Sequence, residues 1–384
     1  MPQTVERFER VEESATLRMS ALVRELRAEG VDVIDMASGA PDFITPEHIR
    51  EGAKEALDRG ETFTTDTKGI PELREQIAIK LREENGIETN EERVVVTAGT
   101  KHAVFQSLFA LLESGDEAIV PDPSWVSYRQ MVRLNGGRVK RLPLDPDAGF
   151  ALGNTNLAAV VSDETQVMLV NTPANPSGAV FSKEELAEIR DLAIDHDFWV
   201  VTDEIYERMV YGVPHHSLAA MEGMADRTIT TSGFSKSYAM TGWRLGYLTG
   251  PRHVVDSIEK LQAHSVTCTT SFAQYGALAA LEGPDTVVEE MRQTYESRLE
   301  VLVEELSAIG VDIDKPGGAF FCFVPIGPAY DDVTLCEKML KEEGVGATPG
   351  SAFGMDGYVR LSITTEADRI RDAVPRIGKY LHSG

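Results

Sequence analysis

Cysteine is scarce in this chain: three in 384 residues, Cys268, Cys322 and Cys336, far apart and without a CxxC pair. That argues against a disulfide scaffold or a thiolate metal centre, and fits reduced thiols in a cytoplasmic protein. Long apolar runs are missing too. None approaches the roughly 20 residues that cross a bilayer, and the opening "MPQTVERFERVEES" lacks the apolar core of a secretory signal. Basic residues are the third shortage, with 37 Lys and Arg against 62 Asp and Glu and a net charge of −25. Nucleic-acid binding needs clustered cations, so neither nucleic acid nor membrane is an expected partner. The acidic residues run along the whole chain, so the excess belongs to the surface. We read it as halophilic, suited to a salt-rich cell interior where screening tolerates self-repulsion; a merely acidic mesophilic enzyme is the alternative. The eight histidines show no ligand spacing, His215-His216 fall in a loop, and no metal is expected.

What the chain does have is a rhythm. "RVVVTAG" (93–99), "EAIVPDP" (117–123), "QVMLVNTP" (166–173), "FWVVTDE" (198–204), "TITTSG" (228–233) and "RLGYLTG" (244–250) read as buried strands. "TKHAVFQSLFALLES" (100–114) and "SKEELAEIRDLAIDH" (182–196) read as helices between them. This alternation predicts an α/β fold with a largely parallel sheet covered on both faces. Helical patterns over 252–282 and 284–308 lead to "GGAFFCFVPI", "GVGATPGSAFG" and "YVRLSIT", which predict a smaller α+β unit with the 14–30 helix packed on it. The length suits two or three domains, or one large α/β domain with an appendage.

Ligands in such sheets sit at the carboxyl ends of strands. The polar residues there are Gly99-Thr100-Lys101, Ser124-Trp125, Asn171 to Asn175, Asp203 with Tyr206, and Ser235-Lys236. Lys236 lies in "SGFSKSYAMTGWRLG", among Phe234, Tyr238 and Met240, with no neighbouring carboxylate. Desolvation favours its neutral amine, the form a Schiff-base nucleophile requires; a lysine with packed stem and hydrated head is the plainer reading. Asp203 ends an apolar strand, either as a helix N-cap or as the partner of a protonated ring nitrogen in a pyridine cofactor such as pyridoxal phosphate. Tyr206 follows one helical turn later and joins the same site. "TAGTKHAVFQ" is a strand, turn and helix start, an anion-binding layout, with Lys101 in the first turn and Arg244 supplying a forked donor. Arg360 in "YVRLSI" either caps a sheet edge or binds an anion. The "GxG" fragments lack the strand–GxGxxG–helix context of a dinucleotide site.

Together these residues resemble the class I pyridoxal-phosphate aminotransferases of fold type I, most closely the prokaryotic aspartate aminotransferase subgroup. The resemblance runs from "SATLRMSALVRELRAEGVDVI" to "YVRLSITTEADRI", with "GFSKSYAMTGWRLG" its most specific piece and "NPSG", "VVTDEIYE", "IPELREQIA" and "PGSAFG" as further matches. It implies three parts: an N-terminal segment (1–45) packing with the small domain, a large cofactor-binding domain (46–283) and a small C-terminal domain (284–384). It implies that Lys236 holds pyridoxal 5'-phosphate as a Schiff base and that Asp203 faces the pyridinium. Tyr206 and Asn175 bond the phenolic oxygen, Trp125 stacks on the ring, and Gly99, Thr100, Lys101, Ser235 and Arg244 surround cofactor and phosphate. On the substrate side, Arg360 with Gly39, Trp125 and Asn175 grips the α-carboxylate, and Ser14, Thr16 and Lys101 read a distal carboxylate, Ser14 doubling as a helix N-cap. The implied reaction carries the amino group of aspartate, or another acidic amino acid, to 2-oxoglutarate. An aromatic or broad-specificity aminotransferase is the alternative, a β-lyase a more distant one. The implied assembly is a homodimer with active sites near the subunit interface. Three positions depart from the family pattern: Thr64 where a tyrosine reaches the neighbouring subunit's phosphate, Ala40 in "GAPDF" for "GEPDF", and Glu12 where prephenate-active relatives carry lysine.

Overall fold

The computed structural model describes residues 5–12, 15–153, 155–326 and 331–381. Seven strands build the main sheet: β1 (Val94–Thr97), β2 (Glu117–Asp122), β3 (Arg138–Pro143), β4 (Thr165–Asn171), β5 (Trp199–Asp203), β6 (Thr228–Gly233) and β7 (Gly246–Thr249). Their order across the sheet is β1-β7-β6-β5-β4-β2-β3, and β7 alone runs antiparallel to its neighbours. The central strands are buried on both faces because successive side chains point opposite ways. Met168, Val170 and Val200 enter one core with the helix Lys183–Asp195. Val167, Leu169 and Val201 enter another with the helices Thr100–Leu111, Ser127–Leu134 and Arg252–Ala263. Each fully buried aliphatic side chain contributes about 1.5–3 kcal/mol.

Four outcomes differ from the sequence reading. β3 was not foreseen; it is an edge strand whose side chains are mostly exposed or half-buried, so it carries no apolar run. The pattern over 252–282 forms two helices, Arg252–Ala263 and Ser271–Glu282, separated where Thr267 takes a positive φ of 64°. No helix follows Asp203: 204–209 makes turns, with the Ile205 amide donating to Asp203 Oδ1, so Asp203 ends a strand without capping a helix. And the "YVRLSI" strand is not an edge. A three-stranded antiparallel sheet holds β8 (Phe321–Pro325), β9 (Thr348–Pro349) and β10 (Tyr358–Ser362) in the order β9-β10-β8, with Arg360 on the central strand. The helices Thr286–Ala308, Asp332–Glu343 and Ala367–Leu381 belong to the same part of the chain. Near the N-terminus, Ile34–Asp35 pairs parallel with Val345–Gly346, tying that segment to the C-terminal third.

Six parallel strands, β1 to β6, end on one edge of the main sheet. β7 starts there because it runs the other way, so Arg244, just before it, arrives at the edge where Lys236, just after β6, also arrives. The two strands lie very close there: a Cβ on Gly233 would sit 2.7 Å from the Gly246 Cα.

Candidate active site

A cavity of about 420 Å³ opens at this edge, lined by residues from the strand ends, the N-terminal helix Ala15–Ala28 and β10. Of the residues singled out from sequence, Thr16, Gly39, Thr100, Lys101, Trp125, Asn175, Asp203, Tyr206, Ser235, Lys236, Arg244 and Arg360 all line it. Gly99 stands behind it as the N-cap of Thr100–Leu111 with φ 85°, and a Cβ there would lie 2.5 Å from Arg244 Nη2. Only glycine fits that combination of left-handed backbone and close approach. Ser14 lies outside the described residues.

Lys236 Nζ donates to the Gly39 carbonyl at 2.5 Å and lies 5.8 Å from the Tyr206 ring centre and 5.7 Å from that of Phe320. Burial, then the nearby Arg360 cation, pushes its amine down to about 8. Asp203, 5 % exposed, is pushed up to about 6 by burial, against the pull of its hydrogen-bond donors and of Lys236. Its backbone carbonyl accepts from Asn171 Nδ2 at 2.8 Å, and Asn171 Oδ1 accepts from the Asn175 amide at 2.8 Å. The Asn175 side chain then accepts from Arg360 Nη1 at 2.9 Å and reaches the Tyr206 hydroxyl. Arg360 is 2 % exposed, donates through Nη2 to the Ala37 carbonyl at 2.7 Å, and is lowered to about 10 by burial. Its buried Nε has no hydrogen-bond partner among the described residues.

On the opposite wall, Lys101 Nζ sits 4.6 Å above the Trp125 ring centre, and burial followed by the Arg244 charge lowers its pKa. Thr100 Oγ1 donates to the Ser232 carbonyl at 2.9 Å, which ties the helix start to β6. Arg244 donates to the carbonyls of Thr241 and Ala98. The N-terminus of Thr100–Leu111 beside that guanidinium is suited to an anion. Of the departures, Ala40 lines the cavity, Thr64 is exposed on the surface, and Glu12 pairs with Arg133 at 2.9 Å.

Sequence reasoning missed Tyr128, whose hydroxyl donates to Asp203 Oδ2 at 2.7 Å. The signal was its place in "SWVSY", one turn after Trp125, although an aromatic at that spacing reads as ordinary core. Also missed were Asn171, named only as a strand-end residue, and Leu17 and Ser20 beside Thr16. His215 proved to belong to a group with buried Glu204 and half-buried Glu207, three residues whose potential ligand atoms lie within 4.8 Å of one another. Lys80 Nζ already lies 2.5 Å from Glu207, and His215 Nε2 shares a hydrogen bond of 3.0 Å with Glu204, so both carboxylates already have protein partners.

The sheet edge gathers a half-buried lysine, a buried carboxylate and several cations, an arrangement suited to an anionic ligand. The profile of the aminotransferase class I and II family matches residues 31–377, and the chain belongs to that family. It is a pyridoxal-phosphate-dependent aminotransferase, and its substrates are small amino acids and oxo acids. It is 40% identical over 379 residues to the aspartate/prephenate aminotransferase of Thermus thermophilus, covering 98% of each chain. It is 41% identical over 366 residues to aromatic-amino-acid aminotransferase 2 of Thermococcus litoralis, covering 92% of this chain and 93% of that one. The structure of the Thermus thermophilus aspartate aminotransferase with maleate superposes with a TM-score of 0.95 at 39% identity, covering 99% of this chain and all of that one. Among the described residues, no helix is long and apolar enough to cross a membrane.

Proposed function

We propose that this chain moves the amino group of aspartate, or of another acidic amino acid, to 2-oxoglutarate, with pyridoxal 5'-phosphate held at Lys236. The observation that carries this reading is charge. In a chain of net −25, Lys101, Lys236, Arg244 and Arg360 line one cavity whose buried carboxylate is Asp203. Three of these cations donate to neutral oxygens: Lys236 to Gly39, Arg244 to Thr241 and Ala98, Arg360 to Ala37 and Asn175. They suit a phosphate and two substrate carboxylates. Arg244, the helix start at Gly99 and Thr100, and Ser235 take the phosphate; Arg360 with Gly39 and Asn175 takes the α-carboxylate; Lys101 with Thr16 and Ser14 takes the distal one. When bound, pyridoxal phosphate supplies an aldehyde that condenses with amines and a pyridinium ring that accepts an electron pair.

Each residue then has a task. Asp203, ionised, would keep a proton on the ring nitrogen. Trp125 would pack on the ring, and Tyr206 and Asn175 would hold its phenolic oxygen. Lys236 Nζ, neutral in part at working pH, lifts the proton from the substrate's α-carbon and carries it, as a base of matched pKa does. Arg360 fixes the substrate so that this bond meets Nζ. The Thermococcus litoralis relative's name favours a second reading, broad or aromatic specificity, on the same machinery. The carboxylate of Glu12, paired with Arg133, argues against prephenate as a substrate.

The rest of the reading is a cytoplasmic, halophilic homodimer with its active sites near the subunit interface, supported by exposed Phe63, Phe109 and Val266. Its parts are the segment 1–45, a large domain 46–283 and a small domain 284–384. The test is borohydride reduction of the purified holoenzyme, digestion and mass analysis, alongside a panel of amino donors with 2-oxoglutarate. A pyridoxyl adduct on the Lys236 peptide with aspartate as a preferred donor is expected. A colourless protein with no adduct overturns the cofactor assignment; preference for phenylalanine overturns the acidic one.

A further inference from the structure

We propose that Tyr128 is a positioning residue for the ring proton: by donating to Asp203 it keeps that carboxylate ionised and oriented, so that Asp203 holds the cofactor's ring nitrogen protonated. The inference rests on the reading above and extends it to a residue with no role there. Asp203 is almost wholly out of water, and burial alone favours the neutral acid, which holds a pyridinium poorly. Two donors oppose this, one on each oxygen: Tyr128 Oη on Oδ2 at 2.7 Å and the Ile205 amide on Oδ1 at 3.2 Å. The amide comes from Asp203's own turn. The hydroxyl comes from the helix Ser127–Leu134, 75 residues away in sequence, and so fixes the carboxylate against a separate element.

Tyr128 is 2 % exposed and its ring meets Trp125 edge to face at 5.3 Å, so it has little freedom to turn away. Burial and the facing carboxylate hold its proton far more tightly than in an ordinary tyrosine, so it stays a donor throughout the working range. With both oxygens bonded once, the remaining lone pairs of Asp203 are left to a ligand in the cavity.

The test is the affinity of the cofactor-free Tyr128→Phe protein for pyridoxal phosphate and for the analogue with carbon in place of the ring nitrogen. Wild type is measured alongside, and borohydride trapping at Lys236 serves as the control. The expected result is an affinity loss of about ten- to a hundredfold for pyridoxal phosphate, the range of a hydrogen bond to a charged group, and little loss for the carbon analogue. Equal losses for both ligands, or none, overturn the inference and leave Tyr128 a packing residue. If Tyr128→Phe fails to fold, Tyr128→His keeps a donor there, and the preference for pyridoxal phosphate over the analogue must survive in it. Absence of the Lys236 adduct in wild type fails the functional reading; an adduct in wild type with an unaltered Tyr128→Phe protein fails this inference alone.

Discussion

Replacing Lys236 with methionine is expected to stabilise the cofactor-free protein near neutral pH while abolishing activity. The lysine's pKa is about 8 in the folded chain against 10.5 when free. Between those values the unfolded chain binds more protons than the native one, so wild-type stability rises with pH across that window and carries its full penalty below about 8. At 1.36 kcal/mol per unit, the penalty reaches at most about 3–4 kcal/mol, and water in the open cavity reduces it. Methionine keeps the length and removes the charge. It also removes the bond to the Gly39 carbonyl, a pH-independent loss of about 1 kcal/mol. The variant should therefore be about 1–2 kcal/mol more stable at pH 7, and that advantage should shrink, then reverse, toward pH 10.5. Urea unfolding of both cofactor-free proteins at pH 7, 9 and 10.5 measures it. A stability difference that does not change with pH would refute the claim that Lys236 is held partly neutral by burial. In an Arg360→Gln background the effect should be smaller, since Arg360 is the leading charge acting on the amine.

Gly99→Ala places a methyl against Arg244 on a backbone with φ 85°; pyridoxal phosphate affinity should fall about tenfold or more, measured by titrating the cofactor-free protein. Lys101→Ser should lower kcat/KM for aspartate by about ten- to a hundredfold and leave phenylalanine nearly unchanged; equal losses for both donors would remove Lys101 from distal-carboxylate recognition. The thermal midpoint should climb between low and molar KCl as screening relieves the −25 surface, and a flat or falling curve would leave the acidity without a salt-adaptive role.

Six of the seven main strands were legible because they are buried on both faces and so read as runs of apolar, β-branched or small residues without charge in the middle. β3 was not, because an edge strand with exposed side chains lacks that signature. The polar residues at strand ends were legible for a related reason: Asp203 and Lys236 interrupt or follow apolar stretches that offer no local reason for a charge. The break between Arg252–Ala263 and Ser271–Glu282 was missed because the amphipathic pattern continues across it, while the Thr267 backbone does not.

By itself the sequence determined the α/β alternation, the glycine turn at residue 99 and the identity of the charged groups at the sheet edge, since these depend on neighbours along the chain. The tertiary structure decided which of those groups meet. Arg360 could have capped an edge until β10 was found between β8 and β9, facing Asn175 across 185 residues of chain. Tyr128 was one more core aromatic until the fold set its hydroxyl on Asp203. Long-range contacts leave no periodic trace in a sequence, and the proton affinities of Lys236 and Asp203 are products of those contacts and of the burial they create.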